Sequence, residues 1–163
     1  MKSSHRSFRL PPAAAALAVA ALLPTAAGCS FTDARASVPV PRPDAEEAAL
    51  CRTLHKELPD TVAGLGRSET EPRSDLTAAW GDGAIVLRCG VARPARMSDP
   101  QADAVEADGV NWLVEPREGD GPRFTSTYRK AYVEVSLDRR FAHDVGPLVD
   151  FAGPVGRAIP PSL

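Results

Sequence analysis

Apolar positions follow three regimes along the chain. Ala13 to Leu23 is an unbroken apolar run of 11 residues. That is too short to cross a bilayer, which takes about 20. Residues 44–58 and 148–159 carry apolar side chains at helical spacing. Between them, several segments within residues 76–137 alternate apolar and polar side chains, the period of a strand with one buried face.

The first helical segment has a clear start and stop. Asp44 is a good N-cap, and Glu47 three residues later gives a capping-box pattern. Leu50, Leu54 and Leu58 recur every fourth residue, with Cys51 in the same apolar arc. Pro59 ends the segment, so the spacing predicts a helix over 45–58. Residues 58–66 read as a turn with room for a second short helix, and residues 67–75 as a polar loop.

Leu76 to Trp80 and Ala84 to Val91 are predicted strands, joined across Gly81-Asp82-Gly83 as a hairpin. In the second of them Ile85, Leu87, Cys89 and Val91 share one face. Residues 92–108 form a long polar connection. Gly109 to Glu115, Phe124 to Tyr128 and Ala131 to Leu137 complete the extended segments. Leu148, Phe151, Ala152, Val155 and Ile159 predict a C-terminal helix, kinked at Gly153-Pro154. The expected class is α+β: an antiparallel sheet of four or five strands, with the N- and C-terminal helices packed on one face.

The N-terminus has the layout of an export signal. Lys2, Arg6 and Arg9 precede the apolar run, and small residues Ala26-Ala27-Gly28 precede Cys29. Residues 1–28 are expected to be a signal peptide, and Cys29 a lipid-attachment site. Ala26 departs from the larger aliphatic residue such a site prefers. Ordinary secretion with Cys29 as a free thiol, and an uncleaved anchor, are the competing readings. Residues 29–43 are expected to be the lipidated cysteine and a tether. Pro39, Pro41 and Pro43 favour an extended chain, which would reach about 40 Å. Residues 44–163 form the expected single globular domain.

Charge sharpens this picture. The chain holds 19 basic and 21 acidic residues; without residues 1–28, which carry three bases and no acid, 16 and 21 remain, a net charge of −5. Such a protein is a poor binder of nucleic acid and is not drawn to anionic lipid. If it sits on a membrane, a covalent lipid must hold it, and two acyl chains on one cysteine suffice. The expected location is the extracytoplasmic face of the cell membrane.

The three cysteines are Cys29, Cys51 and Cys89. Lipidation of Cys29 leaves an even pair, as an exported protein favours. Packing the inward arc of the first helix on the apolar face of the 84–91 strand brings Cys51 to Cys89, so a disulfide is expected. A metal site from Cys51, His55 and Cys89 competes, because Cys51 and His55 are one helical turn apart, but it lacks a fourth ligand with the usual spacing.

Several residues together resemble one family. They are the leader and lipid-attachment cysteine, the Cys-bearing helix ending in Leu58-Pro59, Ala79-Trp80-Gly81, Leu87-Arg88-Cys89-Gly90-Val91, Gly109-Val110-Asn111-Trp112, and Arg129 before Tyr132-Val133-Glu134-Val135. The chain is similar in these to an actinobacterial family called domain of unknown function 3515. The resemblance spans nearly all of residues 45–160 and implies membrane-anchored envelope proteins with no assigned activity.

Recognised reaction motifs are missing. There is no Gly-x-Ser-x-Gly elbow and no phosphate loop or dinucleotide fingerprint. The acids Asp99, Asp103, Glu106 and Asp108 lack the spacing of a calcium loop. Beyond residue 28 the only histidines are His55 and His143. Trp80 and Trp112 lie on apolar strand faces and read as core. Arg88, Arg129 and Glu134 stand out as charged residues in or beside strands; they form either a cross-strand ion pair or an anion site on the open sheet face. No cofactor or metal is expected. The expected function is a non-catalytic envelope module that binds a protein or a cell-wall component. The alternatives are a small-molecule-binding lipoprotein using the Arg/Glu face, and a cell-envelope enzyme.

Overall fold

The structure is a computed structural model that describes residues 35–162. The expected signal peptide, Cys29 and the first part of the tether lie outside these residues. The described elements run β1 (Ala36–Ser37), α1 (Ala45–Glu57), β2 (Thr61–Val62), β3 (Leu65–Ser68), β4 (Thr70–Glu71), β5 (Thr77–Trp80), β6 (Ile85–Cys89), β7 (Ala104–Ala107), β8 (Val110–Glu115), β9 (Arg123–Ser126), β10 (Val133–Leu137) and α2 (Pro147–Ala158).

Eight of the strands form one antiparallel sheet in the order β2-β3-β5-β6-β10-β9-β8-β7. The expected count of four or five is therefore too low. β5, β6, β8, β9 and β10 are the strands that alternation predicted. The additional ones, β2, β3 and β7, hold two to four residues each. Residues 61–68 form a hairpin where a short helix had room, turning at Ala63 and Gly64, both with positive φ. β6 stops at Cys89 rather than Val91 because Gly90 is left-handed, with φ of 81°.

Register divides the sheet into two chemically distinct faces. On one, Trp80 lies opposite Ile85, Leu87 opposite Val135, and Cys89 opposite Val133. These side chains, with Val110, Trp112 and Phe124, join Leu54 of α1 and Leu148, Phe151 and Val155 of α2 in one buried core. Phe151 meets the Trp80 ring edge-on at 5.1 Å between centroids. Such a pair contributes about 0.5–1.5 kcal/mol beyond its area burial. The Trp80 indole N–H donates to the Pro59 carbonyl at 3.0 Å, which satisfies its polar edge inside the core. Both tryptophans are fully buried.

α1 starts as its sequence indicates: the Asp44 carboxylate accepts from the Glu47 N–H at 2.9 Å. Its buried arc, Cys51 and Leu54, turns towards the sheet. Cys51 meets Cys89 there, with Sγ atoms 1.97 Å and Cα atoms 5.5 Å apart, a disulfide-capable pair. The Arg157 guanidinium on α2 pairs with Glu57 at the end of α1, at 2.8 Å. Among the described residues, no helix is long and apolar enough to cross a membrane.

The opposite face is partly covered by the segment leading into α1. Composition reads this proline-rich stretch as spacer, yet Ala36, Val38 and Pro41 are buried. β1 pairs in parallel with β4, and the Ala36 and Val38 N–H groups donate to the Glu69 and Glu71 carbonyls at 3.0 Å each. Ala36 and Val38 pack on Ala79 of β5 and Val86 of β6, forming a second small core. Two apolar side chains and two backbone hydrogen bonds hold residues 36–43 down as a strap.

Candidate functional site

The uncovered part of this second face carries the charged residues. Pairing places Arg88 opposite Glu134, Glu134 opposite Thr125, and Arg123 opposite Glu115. Arg88 Nη1 lies 3.0 Å from Glu134 Oε1, and Arg88 Nε donates to the Pro39 carbonyl of the strap at 3.0 Å. The other Glu134 oxygen is 3.9 Å from Arg123 Nε. Arg123 in turn grips Glu115 with two hydrogen bonds of 3.2 Å. The result is a four-residue ladder of alternating sign across β6, β10, β9 and β8.

The ladder is electrically closed: two guanidinium groups face two carboxylates. Glu134 is only 8% exposed, so its charge needs the neighbouring arginines. Such cross-strand pairs contribute about 0.2–1 kcal/mol each. The geometry is that of a structural ion-pair network rather than an open anion cradle.

Arg129 does not belong to it. Beyond β9 the chain turns at Tyr128, and Arg129 donates to the Ile159 carbonyl at 3.0 Å and the Gly109 carbonyl at 3.4 Å. It ties the C-terminal end to the β7–β8 turn. Arg123 takes the place expected for it. Because β9 starts at Arg123, that residue falls two positions before Thr125, on the same face as Glu134. Alternation read from Phe124, where the sequence places the start of this strand, misses Arg123; a start one residue earlier finds it by the two-residue period.

His55 lies on α1 beside β3. Its Nε2 accepts from Arg67 at 3.0 Å, and its Nδ1 is buried without a partner among the described residues. Burial, and then the Arg67 charge, hold this imidazole below the usual histidine range, with Asp75 acting in the opposite direction. Arg67 also lies over the Trp80 ring, 5.8 Å from its centroid. With Nε2 as acceptor, the neutral ring carries its proton on Nδ1. Among the described residues, no group of three or more His, Cys, Asp or Glu side chains is arranged to hold a metal ion. The remaining suggestive residues are turn formers. Asp82 sits in the β5–β6 hairpin at φ of 57°, and Asp120 pairs with Arg117 at 3.1 Å.

Comparison with curated proteins and comparison with solved structures each found no match. A family model does match, over residues 11–162, covering both the apolar run of residues 13–23 and the folded unit, and the chain belongs to that family, described as Protein of unknown function (DUF3515).

Proposed function

We propose that this protein is a lipid-anchored, extracytoplasmic binding module without catalytic activity. The observation that carries the reading is the fate of the cysteines. Cys51 and Cys89 stand at bonding distance across the core, which leaves Cys29, directly after the leader, as the single remaining thiol. A buried pair of this kind suits an oxidising compartment, and a cysteine following a short apolar run and small residues suits acylation. The net negative charge of the mature chain makes a lipid the means of attachment. Its contacts would be with another envelope protein or a cell-wall component.

The non-catalytic reading draws on the histidines. The hydrogen bond of His55 goes to Arg67, and His143 is exposed; among the described residues neither histidine has a hydroxyl or carboxylate in hydrogen-bond reach. A ligand site built on Arg88, Arg129 and Glu134 draws less support. Arg88 and Glu134 satisfy each other, and Arg129 is occupied by backbone carbonyls.

The test is fractionation with intact mass. The wild-type protein should partition with the membrane at the mass of residues 29–163 plus a lipid, and Cys29→Ser should appear in the medium. Retention of Cys29→Ser on the membrane would overturn the anchor. Alkylation with and without reductant should show Cys51 and Cys89 blocked only after reduction.

A further inference from the structure

The half of the open face beyond the strap and the ladder holds a cavity of about 330 Å³. Its floor is Leu113 of β8 and Ala104 of β7, and residues 93–102 form one wall. The other wall bears Tyr128 and Tyr132, which are the only two tyrosines in the chain. The volume lies at the small end of the range for ligand sites.

Tyr128 is presented at a cost. It is 61% exposed and adopts φ of 56°. A left-handed backbone costs a residue with a side chain about 1–2 kcal/mol, and an exposed ring recovers little of that by burial. The C-terminal end holds the turn in place. The Ser162 N–H donates to the Tyr128 carbonyl, and the Lys130 N–H to the Pro160 carbonyl, both at 3.0 Å. Strain of this kind, kept at the mouth of a cavity, points to a contact made there.

The polar groups around the rings set the chemistry. Arg93 is fixed by Ser98 Oγ at 2.8 Å and the Met97 carbonyl at 3.0 Å. Asn111 lines the cavity, and its side-chain amide has no hydrogen-bond partner among the described residues. Arg93 and Asp99 both line the cavity, one base and one acid, so net charge does not select the ligand. A fitting ligand offers a flat, weakly polar face to a phenol ring, an amide to Asn111 and a small apolar group to Leu113.

We propose that this cleft binds an N-acetylated saccharide, with a sugar ring against Tyr128, the acetamido amide at Asn111 and its methyl group over Leu113. The proposal rests on the binding-module reading but not on the anchor, so its failure would leave the Cys29 result standing.

The experiment uses the full mature protein labelled with 3-fluorotyrosine, in a detergent without a sugar headgroup. Two fluorine resonances report the site. Tri-N-acetylchitotriose should shift both saturably, with a Kd of about 1 mM or tighter. Tyr128→Gly removes the ring and relieves the left-handed strain, so it should stay folded while the shift of Tyr132 weakens by about tenfold or more. Tyr128→Phe should retain the Tyr132 shift, and Asn111→Ala should weaken it. Absence of a saturable shift, or an unchanged Tyr132 response in Tyr128→Gly, would overturn the proposal. So would an equal response to maltotriose, which lacks the acetamido group, or a response to an alanine tetrapeptide but not to the saccharide.

Discussion

At the scale of single residues, two side chains tie this protein's stability to charge. In the fold, burial and then Arg67 disfavour the protonated form of His55. The unfolded chain takes up that proton near its ordinary value of about 6.5. Unfolding therefore binds a proton as pH falls through that value, and stability drops with it. Urea midpoints measured between pH 7.5 and 5 should decline, and His55→Asn should flatten the decline. Glu134 poses the complementary case. Arg88→Ala leaves its buried carboxylate with Arg123 alone, at 3.9 Å. A cost of about 1–3 kcal/mol is expected, as for a buried polar group losing its partner. Glu134→Gln in the same background should recover part of it; a double-mutant cycle without coupling would contradict the ladder.

At the scale of elements, the strap depends on one glycine. A Cβ on Gly90 would fall 2.6 Å from Pro43 Cγ, and its φ of 81° is unfavourable for any side chain. Gly90→Ala should cost at least about 1 kcal/mol and lift residues 36–43. Hydrogen exchange should then speed up at the Ala36 and Val38 amides while α1 stays protected; unchanged protection of those two amides would sink the idea. The five strands with four to six alternating residues were legible in the sequence, as was α1 from its cap. The other strands were not. β1, β2 and β4 hold two residues each, too few to display a period. β3 reads Leu-Gly-Arg-Ser, with no alternation to find. The strap was hidden for a related reason. Its prolines describe an extended chain, and only Ala36 and Val38 show that one side of it is covered. In the ladder, Arg88 and Glu134 were legible by parity. Arg129 misled because the left-handed turn at Tyr128 takes the chain out of the sheet first.

At the scale of the whole molecule, the strap limits how far the folded domain could stand from a lipid on Cys29. Residues 36–43 are packed on the sheet, so seven residue steps separate Cys29 from Ala36. Fully extended, they span no more than about 25 Å. A freely extended spacer to residue 43 would have allowed about 40 Å. Replacing residues 30–35 with a longer Gly/Ser linker should leave thermal stability unchanged, since the packed strap starts at Ala36. If the partner lies at the bilayer surface, the same change should weaken crosslinking to it.

The strap also makes the molecule a mechanical series. Tension applied through a lipid on Cys29 would enter at β1, whose grip on β4 is two residues long. That short parallel pair would slip first, acting as a fuse, and the proline run would peel from the sheet next. The pull would then reach α1 and cross from Cys51 straight to Cys89, because a disulfide there bypasses residues 52–88. In a pulling experiment from both termini, reducing agent should lengthen the final extension by about 130 Å, the contour of the released loop. In the oxidised protein the segment between the two cysteines, with His55 and Trp80 inside it, would carry no load.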